Sequence, residues 1–480
     1  MIALGATLNA SIGLPNYGLL IVGKHSLLKA LPFNKILASK FNGEVDEKRW
    51  EAAMSALPVS GSLPLLFNQS RIISLPDSSS RHNAPSNCHV LTKELRTVPI
   101  TVENRVIHIC IFLKFFPSSM SQCSMSLQKL NIILVCEAGN VFANVAAIAR
   151  AFPTFTRKTD PPPKVDLTIE LCLPDGEKLD EEDLKLIENV GFSIREVCRM
   201  IDAPSNELTT DALLMEVLSV AEELDVKSIV ITGEELKKQG FGGIWSVGRA
   251  GPNPPSFVVL KHEPENATKS YCLCGKGVVF DSGGMQIKGK TGMPGMKRDM
   301  GGAAGMLGTF YCLVRSGFKE KLYLCVAIVE NSVANFANKP DDVITMLSGK
   351  TVEINNTDAE GRLILADAVY YSKHILKADV IIDMATLTGA QAYACMAGRL
   401  SGDLVAPMVF CPDLHFPDLK SPIADMRNSN LGKMEGPPSA VAGLFIGAHI
   451  DFGEGIKWMH LDIASPAECG DRSTGYAGKI

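Results

Sequence analysis

Short apolar runs bounded by turn residues alternate, along much of this chain, with stretches whose apolar positions recur at helical spacing. In the first third, Gly18–Val22 and Ile132–Cys136 read as buried strands, and Val141–Phe152 reads as a helix. Val165, Leu167, Ile169 and Leu171 alternate with mostly polar residues and predict one more strand. A helix over Glu181–Ile201 follows, stopping before Pro204. Beyond it the rhythm becomes regular. Helices are expected at Leu213–Leu224, Gly302–Ser316 and Arg362–Ile375, and strands at Ser228–Thr232, Ser256–Leu260, Tyr271–Phe280, Leu322–Val329 and Val380–Met384. Strand–helix alternation of this kind predicts an α/β fold with helices on the faces of a sheet. Asp77–His89 is expected to be a loop, and residues 117–128 a low-complexity insertion.

A chain of 480 residues exceeds one ordinary core, so two domains are expected. The alternating run after Pro161–Pro163 belongs with the first domain and moves the boundary to Asp175–Lys178. The predicted organisation is an N-terminal α/β domain over 1–178, a linker helix over 179–203 and a larger domain over 204–480.

Composition narrows the function. The charged fraction of 21% and net charge of −5, without a long basic tract, argue against a nucleic-acid partner. The 13 cysteines lack metal-ligand spacing. Cys272 and Cys274 would share one face of a strand as core thiols, and scattered thiols suit a reducing compartment. The N-terminus lacks the basic start and compact apolar block of a secretory signal. The greasiest run, Ile107–Phe116, is interrupted by Lys114 and falls short of the ~20 residues of a membrane span. A cytoplasmic protein without membrane or nucleic-acid partners is therefore expected.

Two blocks carry chemistry. Gly275-Lys276-Gly277-Val278-Val279-Phe280-Asp281-Ser282-Gly283-Gly284 ends a strand in an acid and two glycines, and the chain runs on through Lys288 to Asp299. Strand ends of open α/β sheets are where sites form. In Asn356-Thr357-Asp358-Ala359-Glu360-Gly361-Arg362, two acids sit two residues apart, and an extended backbone would aim both one way. Asp281, Asp299, Asp358 and Glu360 supply four negative charges, matching two divalent cations. Two such ions ~3.5–4 Å apart can share and activate a water. Oxygen-rich ligands suit Mn²⁺ and Mg²⁺, and Zn²⁺ also accepts carboxylates.

The motif NTDAEGRLILADA resembles the signature of the leucine aminopeptidase family of cytosolic two-metal exopeptidases. GKGVVFDSGG, IKGK, MKRDMGGAAG and DMATLTGA resemble its other core motifs in order and spacing, most strongly over 199–391, and PGMKRD and SGKTVEINNTDAEGR bring the chain nearest the animal probable-aminopeptidase-like branch. The resemblance implies a smaller N-terminal α/β domain and a larger C-terminal α/β/α catalytic domain with a central mixed sheet. It implies two divalent metals (Zn or Mn, with Mg possible) held by Lys276, Asp281, Asp299, Asp358 and Glu360, with Asp281 and Glu360 bridging. Lys288 would polarise the scissile carbonyl, and Arg362 would hold a bicarbonate acting as general base. The free α-amine of a peptide substrate would bind near Asp299; Met296 would wall the first side-chain pocket; Thr386, Leu387 and Gly389 would meet substrate backbone. Met296 reads equally as core packing. A homo-oligomer, by resemblance a hexamer, is expected.

Two other readings compete. Gly284–Thr291 fits the phosphate-loop pattern G-x-x-x-x-G-K-[ST], but that chemistry needs a helix starting at Gly289-Lys290-Thr291, and Gly292, Pro294 and Gly295 oppose one. A catalytically impaired relative is the other. A family strand and helix are expected after Ala390, where this chain passes through Gln391–Arg399 directly to Ser401-Gly402-Asp403-Leu404, and Thr474-Gly475-Tyr476 resembles the start of the family's final segment, with the chain stopping at Ile480. The stretch 107–129 matches no family element. No H-E-x-x-H occurs, and His460 reads as structural.

Overall fold

The computed structural model describes residues 1–14, 17–66, 69–79, 84–98, 127–162, 164–389, 405, 407–431, 436–464 and 467. Residues 107–126, the junction after Ala390 and the segment from Thr474 onward lie outside the described residues. The chain divides into two compact units, with the boundary between Cys198 and Arg199.

The first unit is a six-stranded sheet, β1 (Ile2–Gly5), β2 (Gly18–Lys24), β3 (Gly61–Leu65), β4 (Ser70–Leu75), β5 (Leu127–Val135) and β6 (Lys164–Cys172), in the order β1-β6-β5-β2-β4-β3. All neighbours run parallel except the edge pair β3–β4. The period of two sorts β2 onto two cores. Leu20 and Val22 pack with α4 (Cys88–Arg96) and α5 (Val141–Ala151), whereas Leu19 and Ile21 pack with α1 (His25–Ala30), α2 (Lys35–Lys40) and α3 (Glu47–Ala56). Asn34 and Asp46 start α2 and α3 by accepting the amides of Leu37 and Arg49 at 2.9 and 2.8 Å. Helix α4 opens at Cys88, inside the stretch expected to be a loop. Strand β5 likewise opens at Leu127, so the end of the low-complexity run belongs to a strand.

Helix α6 (Glu181–Asp202) crosses the boundary between units. The second unit holds a mixed sheet of β7 (Lys227–Thr232), β8 (Ser256–His262), β9 (Ser270–Asp281), β10 (Lys321–Asn331), β13 (Val380–Ala385) and β15 (Lys457–Asp462), in the order β15-β13-β9-β10-β8-β7. Strands β15, β13, β9 and β10 are mutually parallel, β8 pairs antiparallel with β10, and β7 pairs antiparallel with β8. Strands β11 (Val343–Thr345), β12 (Thr351–Glu353) and β14 (Met426–Arg427) form a small second sheet. The helices are α7 (Thr210–Glu223), α8 (Glu234–Lys238), α9 (Gly242–Gly248), α10 (Gly301–Arg315), α11 (Gly361–His374), α12 (Pro412–His415) and α13 (Pro438–Ala448).

The core explains why β9 and β10 read as unbroken apolar runs: central parallel strands are covered on both faces. One face of β9 packs against α11, through Cys272, Cys274 and Val278. The other meets α10 so closely that a Cβ on Gly275 would lie 2.6 Å from the Ala303 Cα. The fold class is thus mixed α/β, with an N-terminal α/β domain and a larger C-terminal domain built on a mixed sheet.

Candidate metal centre

Four parallel strands deliver their C-terminal ends to one place. Lys276 lies within β9 and Asp281 ends it, Asn331 ends β10, Asp462 ends β15, and Thr386 follows β13 directly. Asp299 follows the 3-10 turn Met296–Arg298 and precedes α10. Asp358 and Glu360 come from the turn leading into α11. This corrects one expectation: the two acids converge through a turn, closed by the Ala359 amide on the Asn356 carbonyl at 3.2 Å, and Glu360 already has helical dihedrals.

One carboxylate oxygen each of Asp281, Asp358 and Glu360 lies within 4.8 Å of the others. Two lysines interleave the acids. Lys276 Nζ is 2.7 Å from Asp299 Oδ1 and 3.0 Å from Glu360 Oε1, and donates to the Thr386 carbonyl at 2.9 Å. Lys288 Nζ is 2.8 Å from Asp281 Oδ2 and 2.5 Å from Asp358 Oδ1. The stem of Lys276 crosses the start of α11 where only glycine fits. A Cβ on Gly361 would sit 2.5 Å from the Lys276 Cε.

Asn331 and Thr357, outside the predicted set, and Thr386, within it, hold this array in shape. Asn331 Nδ2 donates to Asp281 Oδ1 at 2.8 Å, the Thr357 carbonyl at 3.1 Å and Glu360 Oε2 at 3.4 Å. Thr357 ties the two motif blocks together. Its hydroxyl donates to the Gly283 carbonyl at 2.6 Å, and its amide donates to Gln286 Oε1 at 2.7 Å. The Thr386 hydroxyl donates to Asp299 Oδ1 at 2.9 Å. Strand-end position was the only sequence signal for Asn331, because a lone asparagine carries no motif.

Electrostatics follow from burial. Lys276, Asp281, Asp299 and Glu360 are buried, whereas the Asp358 side chain is 35% exposed and faces outward. Burial, together with neighbouring acids, holds the carboxyls of Asp299, Asp358 and Glu360 above the usual range, although the lysines pull the other way. Burial opposes the charge on Lys276 and Lys288, but the surrounding carboxylates outweigh it and raise both. Four carboxylates against two ammoniums leave a formal surplus of negative charge in a buried pocket. Asp299 Oδ2 has no hydrogen-bond partner among the described residues, and a buried carboxylate oxygen without one is a donor atom for a hard cation. The donor set therefore fits divalent metal.

Arg362, the second residue of α11, is buried, and its Nε and Nη1 have no partners among the described residues. Burial lowers its pKa to about 10, against the fields of Glu360 and Asp462. Met296 is half-buried in the turn before Asp299, Leu387 is half-buried, and Gly389 is exposed. Lys290 is exposed, and turns rather than a helix follow Gly289, which removes the phosphate-loop geometry.

His460 is held by Asp383, with Nδ1 and Oδ1 2.5 Å apart, and Trp458 Nε1 donates to the other Asp383 oxygen at 2.6 Å. Cys272 and Cys274 do face one side as buried thiols, joined there by Cys325 and the Ser372 hydroxyl at 3.0–3.6 Å.

The description "Cytosol aminopeptidase family, catalytic domain" matches residues 196–479, and "M17 aminopeptidase N-terminal domain 2" matches residues 18–161. Leucine aminopeptidase 1 of Caenorhabditis elegans is 52% identical over 480 residues, covering 95% of this chain and 92% of that protein. Probable aminopeptidase NPEPL1 of Homo sapiens is 42% identical over 484 residues, covering 95% and 87%. The solved structure of the C. elegans leucine aminopeptidase superposes with a TM-score of 0.88 at 49% identity, over 99% of this chain and 96% of that one. The Trypanosoma brucei leucyl aminopeptidase in complex with bestatin superposes with a TM-score of 0.82 at 27% identity, over 99% and 93%. By these matches the chain belongs to the cytosol aminopeptidase family and is a metallo-exopeptidase of the hydrolase class.

Proposed function

We propose that this protein removes the N-terminal, preferentially apolar, residue from peptides, using two divalent cations held by Lys276, Asp281, Asp299, Asp358 and Glu360. The observation that carries the reading is the convergence of four carboxylates and two lysines at the strand ends. Asp281, Glu360, Lys276 and Asp299 would hold the cations on the buried side of the array, and the more exposed Asp358 would complete their ligands on the outer side. Zn²⁺, Mn²⁺ and Mg²⁺ all suit this donor set. Such a pair, when bound, supplies Lewis acidity and a water nucleophile at neutral pH.

The chain's own groups do the rest. Lys276 is charged among its carboxylates and becomes a ligand only by losing its proton, which added positive charge favours. Lys288 reaches from a half-buried loop to Asp281 and Asp358, and its ammonium is the group assigned to hold the scissile carbonyl oxygen. Arg362 offers two unfilled buried donors, suited to a planar anion such as the bicarbonate expected as general base. Asp299 is assigned to receive a substrate's free α-amine, a contact that would restrict cleavage to chain ends. Met296 walls the first side-chain pocket, and Thr386, Leu387 and Gly389 meet substrate backbone.

The deciding experiment strips metal from the purified protein, adds back Mn²⁺ or Zn²⁺, and follows a leucyl-amide reporter with Glu360→Ala alongside. Metal-restored hydrolysis, blocked by bestatin and absent in Glu360→Ala, is expected. A folded, metal-loaded wild type without activity would move the assignment to the impaired relative. Family resemblance extends the proposal to a cytoplasmic hexamer, for which light scattering should give six times the chain mass of 51.7 kDa.

A further inference from the structure

The segment Thr386–Gly389 leaves the end of β13 and carries two of the contacts that shape the metal centre. The Thr386 carbonyl accepts from Lys276, and its hydroxyl donates to Asp299. A loop of this kind needs something to hold its backbone. Asp462 meets that need. It ends β15, opposite Ala385 of β13, and the Ile463 amide donates to the Ala385 carbonyl at 2.7 Å. Asp462 Oδ1 accepts from the Leu387 amide at 3.1 Å, the Thr388 amide at 3.4 Å and the Ala464 amide at 3.2 Å. Asp462 Oδ2 lies 2.7 Å from the Thr388 hydroxyl and 2.8 Å from the Ser439 hydroxyl at the start of α13.

One carboxylate thus gathers β13, β15 and α13 around the loop. Its hydrogen-bond partners are amides and hydroxyls, with no ion pair among the described residues, so the carboxylate fixes amide directions beside the field it exerts on Arg362. Such charge-assisted bonds are about twice as strong as neutral ones. A hydrophobic residue at this strand end would satisfy packing but would leave the Leu387 and Thr388 amides without that acceptor.

We propose that Asp462 is a positioning residue. It locks Leu387 and Thr388 so that Thr386 stays on Lys276 and Asp299, and the 387–389 backbone stays aligned for substrate. This rests on the aminopeptidase reading of the site.

The test is Asp462→Asn, an isosteric change that removes the charge and turns one acceptor into a donor. Hydrogen exchange of metal-free protein reads the loop directly. Amides of 386–389 should exchange about tenfold faster or more, with the strands of the sheet unchanged. In metal-restored enzyme, KM for a leucyl dipeptide should rise by about tenfold or more, with kcat falling less and both metals retained. Thr388→Val should move both readouts the same way and Thr388→Ser should restore them, and this pair decides the matter if Asp462→Asn fails to fold. Wild-type KM with unchanged exchange in Asp462→Asn, or an activity loss that tracks unfolded fraction at constant KM, would overturn the inference while leaving the aminopeptidase intact. A wild type with no metal-dependent activity would overturn both.

Discussion

At the scale of single residues, the two lysines show how similar side chains acquire different work. Lys276 is enclosed by β9, α11 and the Thr386 carbonyl, and its amine bridges Asp299 and Glu360. Lys288 sits on a loop, less buried, and bridges Asp281 and Asp358 at the outer side. On the proposed roles, Lys288→Ala should leave metal content intact and lower kcat by about a hundredfold, because it removes a donor aimed at developing charge. Metal analysis beside steady-state kinetics checks this, and loss of both metals would show that Lys288 supports the ligands instead. The motif blocks made both lysines visible as candidates. Nothing in the sequence distinguished Lys288 from Lys290, two positions on, except resemblance. The fold separates them: one turns in toward two carboxylates and the other is exposed.

At the scale of elements, the site depends on how closely α10 approaches the sheet. A Cβ on Gly302 would lie 2.1 Å from the Met384 carbonyl oxygen of β13. Backbone on backbone leaves no side chain to yield. Gly302→Ala should therefore push α10 outward and cost about 2–3 kcal/mol, read as a lower urea midpoint at unchanged slope. A midpoint equal to wild type would mean the helix shifts freely. Periodicity located α10, α11, β9, β10 and β13 within a residue or two, because their apolar patterns are long. It passed over α13, which is apolar on all sides and interrupted by Gly443 and Gly447, and β15, a short run of six residues broken by Lys457, His460 and Asp462 without regular alternation. Both contribute to the network around Asp462.

At the scale of the molecule, a buried acid couples stability to pH. Asp367 of α11 is fully buried and accepts the amides of Ile244 and Leu347 at 3.0 and 2.9 Å, tying α11 to α9 and to the turn after β11. Burial pushes its carboxyl up to about 7. The native state then holds a proton that the unfolded chain has released, so this group's contribution is full below about pH 4 and is lost as pH rises through about 7. Urea unfolding of wild type and Asp367→Asn at pH 5 and pH 7.5 should show the balance moving toward wild type at the lower pH by about 1–2 kcal/mol. An equal difference at both values would show that Asp367 titrates alike in both states.

Periodicity carried the α/β alternation and strand-end position marked the two blocks that hold the acids and lysines, because both are local properties written in order along the chain, and the resemblance of those blocks to known motifs carried the family. The tertiary structure decided what lies between those blocks. It brought the carboxylates of Asp358 and Glu360 together through a turn rather than a strand, and it set Asn331 and Thr357 as braces from separate elements. It gathered Cys272, Cys274 and Cys325 with Ser372, and it placed Asp462 under a loop 74 or 75 residues away in sequence. Apart from the local turn at Asp358, each of these is a hydrogen bond or close approach between distant segments, fixed only when the strands and helices pack together, and those at the metal centre only when parallel strands bring their C-terminal ends to one edge of the sheet.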